Sequence, residues 1–160
     1  MKTGTLSLYN MPGHLIRRCH QISVALFMKE CREFGITPIQ YAVMCALQSF
    51  PGEEQAAIAG RVAIDRSTTG NVVQRLEEKG LLRRDPDRTD RRVKLLTLTG
   101  KGHELLESIA SSVEHAQQLT VAPLDENEQA TLIRLLQKIA DKNNALSRVP
   151  LNRTTTDDKV

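Results

Sequence analysis

The chain has 160 residues, 40% hydrophobic and 26% charged, a balance that describes one water-facing globular domain or one domain with helical extensions. Aromatic residues make up only 3% with no Trp, which favours helices over a β-sandwich, and no segment reaches the unbroken apolar length of a membrane helix or a secretory signal. The net charge of +3 is uneven, because Arg61 to Lys101 holds eleven Lys/Arg against six Asp/Glu, a local +5 that leaves about −2 for the remainder.

From Pro12 to Phe34 apolar residues recur at Leu15, Cys19, Ile22, Leu26 and Phe34, the period of an amphipathic helix. "GITPIQ" then breaks and restarts the chain, with Gly35 at a helix C-terminus, Thr37 as N-cap, Pro38 at the first helical position and Gln40 as the reciprocal capping partner. A second helix is expected to about Ser49, with Ile39, Val43 and Leu47 on one face, and "FPGEE" ends it. "EQAAIAGRVAI" and "DRSTTGNVVQRLEEKG" follow as short helices joined by a few residues. Asp65 or Ser67 caps the second, whose buried face is Thr69, Val72, Val73 and Leu76. Ser67, Thr68, Gly70, Asn71, Gln74 and Arg75 are left outward, and Gly80 supplies the stop. Tightly joined short helices, the second opening on small polar residues, make a helix-turn-helix candidate.

After Gly80 the period changes. "LLRR" and "VKLLTL" read as short strands around the turn "DPDRTDRR", a hairpin appended to the helix-turn-helix as a wing. Thr99 caps a helix that runs to about Thr120 through Leu105, Ile109, Val113 and Ala116, and Pro123 breaks it. Asp125 and Glu128 form a capping box for a last helix carrying Leu132, Leu135, Leu136, Ile139 and Leu146. Residues 147–160 have no periodicity and are expected to be a disordered tail. Cys19, Cys31 and Cys45 fall in helical segments without CxxC spacing, as expected of reduced thiols in a cytoplasmic protein.

The expected fold class is therefore mainly α with a small β-hairpin wing, a winged helix-turn-helix flanked by N- and C-terminal helices. Its basic middle between near-neutral flanks is the footprint of a polyanion-binding module.

This order of elements resembles the MarR family of bacterial transcription regulators. The specific part is the wing, "DRR" at Asp90 to Arg92 followed by Leu98, Thr99 and Gly102 of "LTLTGKG", together with "RLEEKGLLRR" at Arg75 to Arg84. The resemblance implies a single domain over 1–146, with dimerisation helices at about 11–36 and 99–146 and a DNA-binding lobe at about 37–98. It implies a homodimer whose recognition helices enter successive major grooves of a palindromic double-stranded operator, and whose wings reach the flanking minor grooves. Arg92 would be the inserted residue and Asp90 the acid that holds its guanidinium, with Arg88 and Arg91 on phosphates. On the recognition helix Arg66, Ser67, Thr68, Asn71, Gln74 and Arg75 are the DNA-facing candidates. Asn and Arg can pair with adenine and guanine edges, while Arg75, near the helix end, suits a phosphate.

Family members mostly repress transcription and release DNA when a small anionic aromatic ligand or an oxidant arrives. The first helix packs His14, Arg17, Arg18, Cys19 and His20 into seven residues beside Leu15, Ile16 and Ile22. One guanidinium in an apolar cleft is the chemistry that captures a carboxylate. The candidate effector site is His14, Arg17, Arg18 and Ile22, with Tyr41 lending a hydroxyl, and the segment is similar to regulators of aromatic-acid catabolism. The implied effector is a small aromatic carboxylate or its acyl-coenzyme A thioester. Surface arginines facing DNA or the dimer partner are the competing reading of Arg17 and Arg18, and packing that of Tyr41. Cys19, beside Arg18 and His20, is the alternative as an oxidation sensor, although its place on the apolar stripe suits a buried inert thiol. No cofactor or metal is expected, since His14, Cys19 and His20 lack a fourth ligand. Nor is an enzyme, for there is no nucleophile elbow, phosphate loop or paired-carboxylate constellation.

Overall fold

The computed structural model describes residues 7–152. Its elements are α1 (Pro12–Glu30), α2 (Pro38–Ser49), β1 (Glu53–Glu54), α3 (Gln55–Arg61), α4 (Arg66–Glu78), β2 (Leu82–Pro86), β3 (Lys94–Leu98), α5 (Gly100–Val121) and α6 (Glu126–Lys142). Side chains set most helix starts. Thr37 Oγ1 accepts from Gln40 N at 3.3 Å while Gln40 Oε1 accepts from Thr37 N at 3.0 Å. Asp125 and Glu128 repeat the exchange at 2.9 and 3.0 Å, each such cap contributing about 1 kcal/mol. Gly35 and Gly80 end their segments at φ +62° and +71°, left-handed positions where a Cβ is strained.

At the base of the wing Thr99 does two things. Its hydroxyl accepts from Gly102 N at 3.1 Å to start α5, and donates to Gly80 O at 2.7 Å, tying that start to the turn after α4. Gly102 itself lies against the chain, since a Cβ there would sit 2.2 Å from Leu81 O. The glycine that carried part of the family resemblance is thus required by packing.

The sheet is antiparallel in the order β1-β3-β2, with Glu53 opposite Leu96, Leu82 opposite Leu98 and Pro86 opposite Lys94. The segment "FPGEE", expected only to end a helix, supplies the third strand. A strand of two residues has no alternation to read and exists through its pairing with β3. Glu53 also accepts two bonds from Arg61, at 2.6 and 2.5 Å, and that guanidinium lies 3.4 Å from the centroid of the Phe50 ring.

The core gathers around these elements. Val43, Met44 and Leu47 of α2, Ile58 of α3, and Val73 and Leu76 of α4 are fully buried, as are Leu96 of β3 and Ile109 of α5. Thr69 is buried too, its hydroxyl donating to Asp65 O at 2.9 Å. The ends of the chain differ. α6 has no buried residue and α1 has only Phe27. Ile39, expected to share the inward face of α2, is 43% exposed, because the α2 core face is Val43, Met44 and Leu47.

Residues 147–152, expected to begin a disordered tail, fold back instead. Asn144 Nδ2 donates to Leu151 O at 3.0 Å, Leu151 N donates to Asn144 Oδ1 at 2.7 Å, and Asn152 N donates to Gly60 O at 2.9 Å. Order made by side-chain clamps leaves no periodic trace. The rest of that expected tail, 153–160, lies outside the described residues. Among the described residues no helix is long and apolar enough to cross a membrane.

Candidate nucleic-acid interface

α4 presents its faces as its spacing predicts. Thr69, Val72, Val73 and Leu76 are buried, while Arg66, Ser67, Asn71, Gln74 and Arg75 are exposed. Asp65 caps the helix, its Oδ1 accepting from Thr68 N at 3.0 Å. The Thr68 hydroxyl donates to Asp65 Oδ2 at 2.7 Å. Thr68, expected to face DNA, is therefore half-buried and spends its hydroxyl on the cap. The cap also holds the Asp65 carboxyl below the usual carboxylate range, chiefly through the Thr68 N–H and hydroxyl. Gln74 Nε2 donates to Glu78 Oε1 at 2.9 Å, which orients its amide along the helix. Gln55 is a residue that sequence reasoning passes over. It lies across the outward side of α4 at Gly70, where a Cβ would come 3.6 Å from its Nε2. An unexplained glycine inside a helical run is the signal that could have found it.

The wing tip is built by two carboxylates. Asp87 Oδ1 accepts from the N–H groups of Thr89 at 2.7 Å and Asp90 at 3.0 Å, and from the Thr89 hydroxyl. These donors, the hydroxyl first, hold its carboxyl down to about 2. Asp90 Oδ1 accepts from the backbone N–H of Arg92 at 2.9 Å. This corrects the role expected of Asp90, for the bond fixes the backbone of Arg92 and no ion pair joins the two side chains. An Asx-type turn two residues long brings the carboxylate to the N–H sooner than to the guanidinium.

The cations divide cleanly. Arg61 pairs with Glu53, Arg83 with Asp85 at 2.8 Å, and Arg84 with Glu77, its Nε donating at 2.8 Å. Lys79 donates to Gly35 O, and Lys101 to Lys79 O at 2.9 Å. The Arg84 pair lowers the Glu77 carboxyl and raises the Arg84 guanidinium, and it fastens the end of α4 to β2. Of the basic residues between 61 and 101, Arg66, Arg75, Arg88, Arg91, Arg92 and Lys94 carry side chains without a hydrogen bond or ion pair among the described residues, and all are exposed. Each lies on α4 or the wing. The charge excess that faces solvent is a stripe from the reading helix to the hairpin tip.

Of the residues expected to hold an effector, His14 and Arg17 are neighbours, and among the described residues no hydrogen bond, ion pair or ring contact joins Tyr41 to them. On α1 Arg17 donates to Gln21 Oε1 at 3.1 Å and lies 3.4 Å from His14 Nδ1, a polar row to which Tyr9 adds an edge-on contact with His14, ring centroids 6.1 Å apart. Arg18 and Ile22 are exposed on the same helix. Tyr41 sits elsewhere, its ring 5.9 Å from that of Phe27. Phe27 is ten residues beyond Arg17 in sequence, about 15 Å along the helix. Burial, followed by a bond to Cys45, pushes the Tyr41 hydroxyl up to about 12, so it stays protonated. Tyr41 is thus a core-edge residue. Cys19, whose place on the apolar stripe suggested burial, is exposed. Burial raises the thiols of Cys31 and Cys45 and keeps them protonated.

A helix-turn-helix with a three-stranded winged sheet defines a winged helix protein. Residues 36–94 match the MarR family. The chain is 30% identical to the HTH-type transcriptional repressor NicR of Pseudomonas putida over 131 residues, covering 82% of this chain and 83% of that protein. It superposes on Bordetella bronchiseptica BpsR, solved in connection with regulation of its DNA binding by 6-hydroxynicotinic acid, with a TM-score of 0.81 and 33% identity, over 86% and 99% of the two chains. On a mutant Escherichia coli MarR complexed with operator DNA the TM-score is 0.77 at 26% identity, over 84% and 98%. The chain belongs to the MarR family. It is a DNA-binding transcription regulator and not an enzyme.

Proposed function

We propose that the protein is a homodimeric cytoplasmic repressor that binds a palindromic operator and leaves it when a small aromatic carboxylate, or the coenzyme A thioester of one, binds near α1. The observation that carries this reading is the stripe of unpaired cations on α4 and the wing, placed against chain ends that are apolar yet uncovered. Residues 37–98 serve as the DNA-binding lobe, and 11–36 with 99–146 as the dimerisation helices. Leu15 and Ile22 of α1 are 42% and 52% exposed, and Ile133, Leu135, Leu136 and Ile139 of α6 are 44–52% exposed. An apolar surface of that extent is the mark of an interface. A second copy of the chain would bury it and hold two recognition helices about one DNA turn apart. Arg92 enters the minor groove, Arg88 and Arg91 meet phosphates, and Ser67, Asn71, Gln74 and Arg75 face the major groove.

For the effector, the His14–Arg17–Gln21 row and Arg18 offer guanidinium groups to a carboxylate beside apolar Ile22, and the second protomer supplies the rest of the wall. The likeness to BpsR supports this chemistry, since 6-hydroxynicotinic acid is an aromatic carboxylate. Binding there releases DNA only if the ligand prefers the state that cannot bind DNA. The exposure of Cys19 favours one second reading, release by oxidation of that thiol. Fluorescence anisotropy on the protein's own upstream DNA tests both. Release under reducing conditions by a benzoate, a hydroxycinnamate or a thioester, abolished by Arg17→Ala or Arg18→Ala, is the expected result. Release by peroxide alone, reversed by a thiol and absent in Cys19→Ser, would replace it.

A further inference from the structure

Beyond α6 the chain turns through Asn144–Leu146 and doubles back. Asn144 clamps the return by bonding both the N–H and the C=O of Leu151, and Asn152 reaches Gly60 O of α3. The approach is close, since a Cβ on Gly60 would come 2.7 Å from Asn152 Nδ2. Arg148, Val149 and Pro150 thereby form one wall of an open cleft whose other wall includes Ile64, Asp65 and Arg66.

The second wall is the start of the reading helix. α4 needs an acceptor at its N-cap, and the Asp65 carboxylate supplies it. That carboxylate also sets a negative charge where DNA phosphates approach Arg66 and Ser67. Arg148 faces it across the cleft. It is exposed, its side chain makes no hydrogen bond or ion pair among the described residues, and its field acts on the Asp65 carboxylate. A cation there offsets the cost of the acidic cap and stays available to a phosphate.

We infer that the strap 144–152 is part of the DNA-reading surface and presents Arg148 beside Arg66 as a phosphate contact at the start of α4. This rests on the DNA-binding reading above and adds to it a residue from the far end of the chain. The strap is an anchored arm, fixed at Asn144 and Gly60, so the cation is held in register with α4. A phosphate contact reads no sequence. Its signature is an equal weakening on every duplex and a shallower salt dependence.

The test is operator binding by the full-length protein, followed by anisotropy across a potassium chloride series, with an unrelated duplex alongside. Arg148→Ala is expected to weaken both duplexes by roughly fivefold to tenfold at moderate salt, and to lower the slope of log K against log salt by about 0.9 for each phosphate that is no longer neutralised. Its thermal midpoint should match the wild type, and Arg148→Lys should keep the slope. Asn144→Ala, which frees the strap, should weaken binding to the same degree and add nothing when combined with Arg148→Ala. Wild-type affinity and slope in Arg148→Ala overturn the inference, as does a weakening confined to the operator with the slope unchanged. Arg92→Ala separates the two levels. If it weakens binding and Arg148→Ala does not, only the strap reading falls. If the wild type shows no salt-dependent binding to any duplex, the DNA reading falls as well.

Discussion

The lobe between Ile36 and Leu98 and the last helix are both rich in leucine and isoleucine, yet they treat these residues in opposite ways. Leu47, Ile58, Leu76 and Leu96 are 0% exposed, whereas Leu135, Leu136 and Ile139 of α6 are 44–49% exposed. What differs is whether one chain contains both sides of the packing. The lobe closes its core with its own sheet and helices together with Phe27 of α1 and Ile109 of α5, while α6 and the outer face of α1 carry apolar residues that only another surface can complete. The lobe is therefore the part whose stability one chain sets, and the ends are the part whose stability should depend on concentration.

The sharpest way to break this contrast is a charge on α6. Ile139→Asp should leave each chain folded, because nothing of α6 is buried within it. If a second copy covers α6 as proposed, it should nevertheless abolish that dimer in sedimentation and cut operator affinity about 1000-fold, because bivalent binding is then gone. A dimer of unchanged affinity would mean that α6 is not the interface. Within the lobe Gly102→Ala should act through folding, since the new Cβ meets the Leu81 carbonyl. We expect a loss of about 3 kcal/mol in thermal or urea unfolding, and an unchanged midpoint would contradict the packing described.

Smaller effects come from the surface. Arg92→Ala should cost roughly 1–3 kcal/mol of operator binding with no change in unfolding. Unchanged affinity would remove the wing from the interface. The least is expected from Asp87. Its carboxyl titrates at about 2 in the folded wing, below the ordinary value of about 3.9. Its contribution to the turn is therefore fully present above about pH 4 and lost as the pH falls through about 2. The Thr89 and Asp90 amide resonances should shift with a midpoint near that lower value, and Asp87→Asn should erase the transition. A midpoint near the ordinary value would show an unformed turn.

What is legible in the sequence is local or periodic. The capping pairs Thr37 with Gln40 and Asp125 with Glu128, the stops at Gly35 and Gly80 and the two faces of α4 each depend on residues a few positions apart, and each is found. β1 escapes such reading because its reason lies in Leu95 and Leu96, some forty residues away in sequence. The fold-back of 147–152 escapes it because it is held by the side-chain amide of Asn144 and by one backbone bond from Asn152 to the distant Gly60. Tyr41 and Arg17 invite grouping as polar residues on neighbouring helices, but Tyr41 packs on Phe27, ten residues beyond Arg17 on α1, and residue types do not encode that offset. For Asp90 the sequence points to the right residue, Arg92, and to the wrong atom. A short acid in a tight turn bonds the nearest N–H.

α5 runs without a break from the foot of the wing at Thr99 to Val121. Twenty-two residues make a rod of about 33 Å. Because the Thr99 hydroxyl and Gly102 seat one end of that rod directly on the turn between α4 and β2, a tilt at the other end becomes a sideways swing of the reading helix. An angular change of about 5° over this length moves the tip by roughly 3 Å, close to the 3.4 Å stacking distance of one base pair. In the proposed dimer this rod would be one arm of a pair of callipers, in which a small turn at the hinge changes which rung of the ladder each jaw can grip.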